Sequence, residues 1–454
     1  MIVVGAGIGG LTAAHDLAAA GHEVVVLEGS DRIGGKLRTA QVAGVSVDVG
    51  AEAMLARRPE GVALAESLGL EIVHPTRATS RIWTRGALRP LPRSLMGVPM
   101  DLDQLEATGI LSPEGLDRAR REASLPRDPS SSDVADGIDV TVGSLVDARF
   151  GPEVTDQLVE PLLGGVYAGR AREISLRAAV PQLAAMAAAG PLTPQTAAIP
   201  PASDAPVFAG IAGGMGRLPA ALADGLDVRT GRRVSLVGLP NGHRRFEVAM
   251  HDRRGEQIVE EADGVVVATP ARAAWDILPE LPWLATDPLR DLDYASVAVI
   301  TLAFRAEDLP LDGTTSGFLV PPREGRFIKA STFSFAKWDW VRDAGDGVLL
   351  LRTSVGRAGE IGALDHTDAE LVARSLADLR EAIPAVGEPV DTHVQRWPDA
   401  LPQYRVEHLR EIAELREAVA DVPGLAICGA AYDGVGIPAV IASAHLAADR
   451  LMGR

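Results

Sequence analysis

A chain of 454 residues that is 47% apolar and 23% charged has the make-up of a folded globular protein, which excludes wholesale disorder. Its 61 acidic against 44 basic side chains leave a formal charge of −17, so a polyanion such as nucleic acid would be repelled. The single cysteine, Cys428, excludes an intrachain disulfide and a cysteine-cluster metal site, and no metal site is expected.

The first elements read as strand, helix, strand. Ile2–Val4 is a short apolar strand, and Gly5-Ala6-Gly7-Ile8-Gly9-Gly10 fits G-x-G-x-x-G at Gly5, Gly7 and Gly10. Leu11 to Ala20 places Leu11, Ala14, Leu17 and Ala18 on one helical face, and Gly21 ends it. A second strand, Glu23 to Leu27, delivers Glu28. Each part has a task in holding a dinucleotide. Gly5 permits the tight turn, Gly7 lets backbone approach a pyrophosphate at the helix N-terminus, and Gly10 lets helix and strand pack closely. Glu28 can accept hydrogen bonds from a ribose hydroxyl. A glycine-rich turn without a ligand would leave Glu28 unexplained.

The next residues, Arg32, Gly34-Gly35-Lys36 and Arg38, place cations beside the expected phosphate site. This Gly-Gly-Lys turn resembles the second signature of the amine-oxidase-like flavoproteins, which favours FAD over NAD. Val47 to Glu52 is similar to the strand that leads to the flavin in that family. The resemblance implies cofactor contacts at Gly34, Gly35, Lys36, Gly50, Ala51 and Glu52.

Further along, Ser80–Thr84 and Ala87–Leu91 read as a hairpin about Arg85-Gly86. The regular spacing of Arg77, Arg81, Arg85, Arg89 and Arg93 is read as coincidence, given the Gly and Pro around it. Helices are expected at Pro113–Glu122, Val142–Arg149 and Pro152–Leu163. Arg127–Gly137 reads as an exposed loop and the proline-rich 190–206 as an irregular linker. The Ala-rich tract at 178–190 is too broken by Pro181 and Gln182 to span a bilayer. The apolar N-terminus lacks the basic start of an export signal, so a soluble, cytoplasmic protein is expected.

Gly210–Pro219 should open a helix. Val234–Leu239, Phe246–His251 and Gln257–Glu261 read as a meander with a turn at Asn241-Gly242. Gly264–Pro270 reads as a buried strand returning to the first unit, and Ala295–Phe304 and Val348–Val355 as sheet strands of a second. Val234 and Thr269 join the expected cofactor contacts. Finally, Leu425–Cys428 is a strand that runs into Gly429, Gly434 and Gly436, followed by a helix from Ile437-Pro438 to about Leu451. Gly429, Gly436 and Ile437 would present backbone N–H groups and a positive helix end to the flavin. Cys428 reads as a small buried hydrophobe and not as a covalent flavin link.

Taken together, Val159–Gly169, Gly213–Pro219, Thr332–Ser334 with Lys337-Trp338, Arg396-Trp397, Leu401–Tyr404 and Gly434–Pro438 resemble the bacterial FAD-dependent porphyrinogen oxidases. Within these they are most similar to the coproporphyrinogen III oxidases of Gram-positive bacteria and actinobacteria. The resemblance implies an α/β fold: a Rossmann-like FAD-binding domain (1–52, 207–290, 405–454), a mixed-sheet substrate domain (53–95, 291–404) and an inserted helical domain with linker (96–206). It also implies non-covalent FAD, a tetrapyrrole substrate and O2. Peripheral membrane contact and transient contact with other haem-pathway enzymes are compatible with it.

Porphyrinogen oxidation removes six electrons and six protons, so one flavin needs three cycles, with one H2O2 each. The flavin carries this chemistry, and no catalytic side chain is expected. Four propionates call for cations, for which the sequence offers Arg57 and Arg58, with Lys337 as a further cation and Tyr167 as a wall. The alternatives are protoporphyrinogen IX as substrate, an amine oxidase or desaturase on the same fold, and a non-catalytic porphyrin-handling flavoprotein.

Overall fold

The computed structural model describes residues 1–200, 205–239, 245–278 and 286–453. The expected turn at Asn241-Gly242 lies outside them. The first unit is built on a parallel sheet in the order Asp227–Thr230, Val25–Glu28, Ile2–Val4, Val265–Val267 and Leu425–Ile427. Its strands come from three distant stretches of the chain.

Alternation sorts the side chains of this sheet onto two faces. Val3, Val26, Val266 and Ala426 sit in one cluster with Leu11, Ala14 and Leu17 of helix Ile8–Ala19 and Ile441, Ala444 and Ala448 of helix Ile437–Met452. Val4, Leu27, Val265, Val267 and Leu425 face the other way. They meet the antiparallel meander Arg233–Gly238, Phe246–His251 and Gln257–Ala262 and the helix His408–Ala420. Burying each of the valine, leucine and isoleucine side chains contributes roughly 1.5–3 kcal/mol. Both faces are covered, which is why the strands read as unbroken apolar runs.

The second unit is a seven-stranded mixed sheet. Its order is Asp391–Pro402, Tyr294–Arg305, Val348–Val355, Ala330–Thr332, Thr315–Leu319, Thr79–Thr84 and Ala87–Pro90. Only Thr315–Leu319 and Thr79–Thr84 pair in parallel. The hairpin closes on Arg85 and Gly86, both with positive φ (52° and 71°), the geometry that matches strand twist. The arginines at 77, 81, 85, 89 and 93 therefore share no helix. Helix Asp368–Ala382, with its Thr367/Glu370 capping box, covers one sheet face through Leu371, Leu376 and Leu379.

The third unit is helical. Val142–Phe150, Pro152–Val154 and Glu160–Tyr167 bury Leu145, Val146 and Leu163 against Ile82 of the mixed sheet. Two expectations are corrected here. Pro129–Ala135 is a helix within the stretch read as a loop: Asp128 caps it by accepting Ser131 N–H, Pro129 suits its first turn, and Val134 is buried. Leu192–Ala197 is a helix within the stretch read as a linker. Its start is fixed by the buried Glu122 carboxylate, which accepts Leu192 and Thr193 N–H at 2.8 Å each and pairs with Arg149 at 2.6 Å.

Among the described residues no helix is long and apolar enough to cross a membrane, and no group of three or more His, Cys, Asp or Glu could hold a metal.

Candidate active site

The glycines of the loop after Ile2–Val4 serve different ends. Gly5 has φ +105°, and a Cβ there would lie 2.9 Å from Ala268 O. A Cβ on Gly10 would lie 1.9 Å from Gly5 O, so helix and loop could not close with a larger residue. A Cβ on Gly7 would meet nothing within 4 Å. Gly9 instead serves contact between helices, since its Cβ would be 3.1 Å from Val440 Cγ1. Glu28 is held by two backbone donors, Ala6 N–H and Ser30 N–H, at 2.8 Å each. Val234 buries its side chain in the core, on a strand whose first residue, Arg233, lies against Gly29.

The Gly34-Gly35 turn docks on this loop. Gly34 N–H donates to Ala6 O at 2.8 Å, and a Cβ on Gly35 would lie 3.3 Å from Gly7 Cα. Lys36 follows. Burial brings its ammonium down to about 8, an effect that the Asp399 carboxylate opposes. Its carbonyl accepts Ala51 N–H at 3.1 Å. A Cβ on Gly50 would be 2.1 Å from that carbonyl oxygen. The segment from Val47 to Glu52 thus lies directly against the Gly34–Lys36 turn, which itself rests on the glycine loop.

The C-terminal return comes to the same place. A Cβ on Gly429 (φ +134°) would meet nothing within 4 Å, and Gly429 N–H donates to Ser443 Oγ at 3.1 Å. Helix Ile437–Met452 starts at Gly436 with no side-chain cap and no acid in its first turn, and Ile437 is buried. A Cβ on Gly61 would be 3.5 Å from Pro438, so helix Pro59–Ser67 abuts this helix start.

The residues read as substrate contacts fare unequally. Arg57 is exposed and makes no hydrogen bond or ion pair among the described residues. Arg58 is not a free cation: its guanidinium pairs with Glu60 at 2.6 Å. Nor is Lys337, whose Nζ lies 2.5 Å from Glu52 Oε1. In turn Glu52 is an ion-pair partner of the mixed sheet, with its other oxygen 2.5 Å from Arg352. Burial would push the Glu52 carboxyl up, but Arg352 and Lys337 outweigh it and hold the group down at about 2.

Tyr167, at the end of its helix, is 7% exposed and meets the Tyr404 ring edge-on at 5.9 Å. Burial pushes its phenol up to about 12. The Tyr404 hydroxyl donates to Ala430 O in the C-terminal return, which links Tyr167 to that loop.

Arg352 and Trp397 are contacts the site reading missed. Trp397 Nε1 donates to Val49 O at 2.9 Å, and Arg352 donates to Asp48 O and Gly50 O. A lone arginine in an apolar strand was the available signal for the first. A groove of about 630 Å3 between helix Asp368–Ala382 and strand Asp391–Pro402 shares no residue with this site.

The chain's own polar inventory fits a flavin dinucleotide. Thr269 Oγ1 is buried with no partner, and its methyl would be 3.6 Å from a Cβ on Gly5. Lys36 is a half-buried cation with no side-chain hydrogen bond among the described residues. Two helix N-termini, at Gly7 and Gly436, have no side-chain cap, and a Cβ on Gly7 or on Gly429 would meet nothing within 4 Å. An anionic pyrophosphate would satisfy these donors.

The comparisons with known proteins point to a flavin. The profile of the family described as "Flavin containing amine oxidoreductase" matches residues 8–452. A coproporphyrinogen III oxidase of Mycobacterium tuberculosis is 37% identical over 97% of this chain and 95% of its own length. That of Bacillus subtilis is 30% identical over 96% and 94%. A bovine protoporphyrinogen oxidase is 27% identical over 100% and 98%. A crystal structure from Exiguobacterium sp. 255-15 superposes with a TM-score of 0.86 at 28% identity, covering 100% of this chain and 98% of that one. Putrescine oxidase, at 19% identity and a TM-score of 0.70, shares the fold. The chain belongs to the flavin-containing amine oxidoreductases, and it is a flavin-dependent oxidoreductase.

Proposed function

We propose that this enzyme oxidises coproporphyrinogen III to coproporphyrin III in haem biosynthesis, with non-covalent FAD as cofactor and O2 as acceptor. The observation that carries the reading is the near full-length similarity to oxidases named for that substrate, at 30% and 37% identity. Bound FAD supplies two-electron oxidation with return of the electrons to O2, so six electrons and six protons leave in three rounds with three H2O2.

The protein's part is binding and orientation. Glu28, already set by two backbone donors, has lone pairs left for a ribose hydroxyl. Lys36, Thr269 and the N-terminus of helix Ile8–Ala19 take the pyrophosphate. The N-terminus of helix Ile437–Met452 and the backbone at Gly429 and Gly436 favour negative charge on the flavin. Ala51 and Gly50 bring the segment before Glu52 to the ring. Cys428 is fully buried, and burial pushes its thiol up to about 12, which removes the thiolate needed for a covalent link. Arg57 is the cation available to a propionate, and Tyr167 forms a wall. The domain division at 1–52, 207–290 and 405–454 against 53–95 and 291–404 belongs to the same proposal.

Protoporphyrinogen IX is the second reading. It is favoured by one observation: with Arg58 and Lys337 both paired, the site offers fewer cations than four propionates would use. The test of the activity is stoichiometric. Purified enzyme given coproporphyrinogen III should consume three O2 per porphyrin formed. Oxygen uptake no faster than without enzyme would contradict the proposal.

A further inference from the structure

The backbone from Asp48 to Glu52 is gripped from both sides. On one side Lys36 O takes Ala51 N–H, and Lys36 follows the Gly34-Gly35 turn that rests on Gly7. On the other side three consecutive carbonyls are held by side chains of the mixed sheet. Arg352 donates from one terminal nitrogen to Asp48 O at 2.5 Å and to Gly50 O at 3.3 Å. Trp397 donates to Val49 O between them. The second terminal nitrogen of Arg352 reaches Glu52 Oε2 at 2.5 Å, and Lys337 takes Glu52 Oε1.

Arg352 is 8% exposed, and its Nε has no partner. Nearby, the Asp48 carboxylate accepts Met215 N–H and the Thr39 hydroxyl. Two cations therefore face two carboxyl groups, so the cluster has little net charge to project. Its function is geometric. A guanidinium reaches two carbonyls from one terminal nitrogen and a carboxylate from the other in a fixed planar fork, whereas an ammonium has to direct its three donors from a single nitrogen.

We infer that Arg352 is a positioning residue of the flavin site, fixing the Asp48–Glu52 backbone at a set distance from the dinucleotide loop and the mixed sheet. This rests on the flavin reading of the site. The residue touches no reacting atom by this account; it acts through the backbone it holds.

Two variants separate positioning from mere stability. Arg352→Met leaves the buried Glu52 carboxylate short of a partner, so lost stability alone could explain its effects. The double variant Arg352→Met/Glu52→Gln removes that carboxylate as well. It should recover most of the melting temperature. Its Kd for FAD should stay raised by roughly tenfold or more, with the visible flavin bands shifted, because the carbonyls of Asp48 and Gly50 are still released. Arg352→Lys keeps a charge beside Glu52 but not the fork, and should fold while binding FAD more weakly. Wild-type FAD affinity and wild-type flavin bands in either folded variant would overturn the inference. A wild-type chain that takes up no flavin would refute the underlying reading of the site instead.

Discussion

Substituting Gly7 and Gly10 one at a time separates the needs of the fold from the needs of the cofactor. In Gly7→Ala the new methyl meets no protein atom within 4 Å, and φ of −74° with ψ of 177° suits any residue. Alanine is a poorer N-cap than glycine, but it also restricts the unfolded chain. These effects oppose each other, so cofactor-free stability should change by less than about 1 kcal/mol. The open space is where a pyrophosphate would approach, and there the methyl intrudes. FAD at 100 times its Kd stabilises the wild type by about 2.7 kcal/mol, and a hundredfold weaker site at the same concentration retains only about 0.4 kcal/mol. Gly10→Ala differs, because its methyl would sit 1.9 Å from Gly5 O and the backbone itself must shift. It should lower stability with or without FAD. Thermal unfolding of cofactor-stripped protein, with and without added FAD, reads both. A Gly7→Ala protein stabilised by FAD as fully as wild type would refute this account of the loop.

Other outcomes follow from the charges. Arg57→Ala should raise KM for a carboxylate-bearing porphyrinogen by about tenfold, as a charged hydrogen bond implies, with kcat and flavin content kept. Arg58→Ala should change KM less, because Glu60 already neutralises that guanidinium; equal effects in steady-state kinetics would contradict the assignment. Glu52 gives the enzyme an acid-labile component. Its carboxyl is held at about 2 when folded, against 4.5 as the ordinary value, so its contribution is complete above about pH 4.5 and lost as pH falls toward 2. That contribution is on the order of 3 kcal/mol, and Glu52→Gln should flatten this part of a stability-versus-pH curve. An unchanged curve would mean the ion pairs contribute little. Acid precipitation should release all the flavin into the supernatant, in Cys428→Ala as in the wild type. A yellow pellet from the wild type alone would point to a covalent link.

The elements that read clearly in the sequence are those whose local and long-range demands agree. Ile2–Val4, Val265–Val267 and Leu425–Ile427 are buried on both faces and stand out as apolar runs, each with a glycine at one end or close to it. Asp391–Pro402 is a sheet-edge strand in which Pro398 interrupts and Asp399 takes φ of 46°, so alternation fails and no strand was legible. Leu192–Ala197 depends on Glu122, some seventy residues earlier, for its N-terminal hydrogen bonds, a partner no local pattern reveals.

The candidate site divides in the same way. Glycines reveal themselves because a motif fixes their spacing. Cations do not: Arg57, Arg58 and Lys337 look alike in sequence, and only the fold shows that Glu60 and Glu52 claim two of them. Arg352 went unseen because its partners are backbone carbonyls about three hundred residues away.

The central claim is best tested by following porphyrin fluorescence in air with coproporphyrinogen III and protoporphyrinogen IX side by side, with added FAD and with enzyme-free controls. The account predicts a higher kcat/KM for coproporphyrinogen III, with peroxide formed. Preference for protoporphyrinogen IX, or rates no greater than the controls for both, would contradict it.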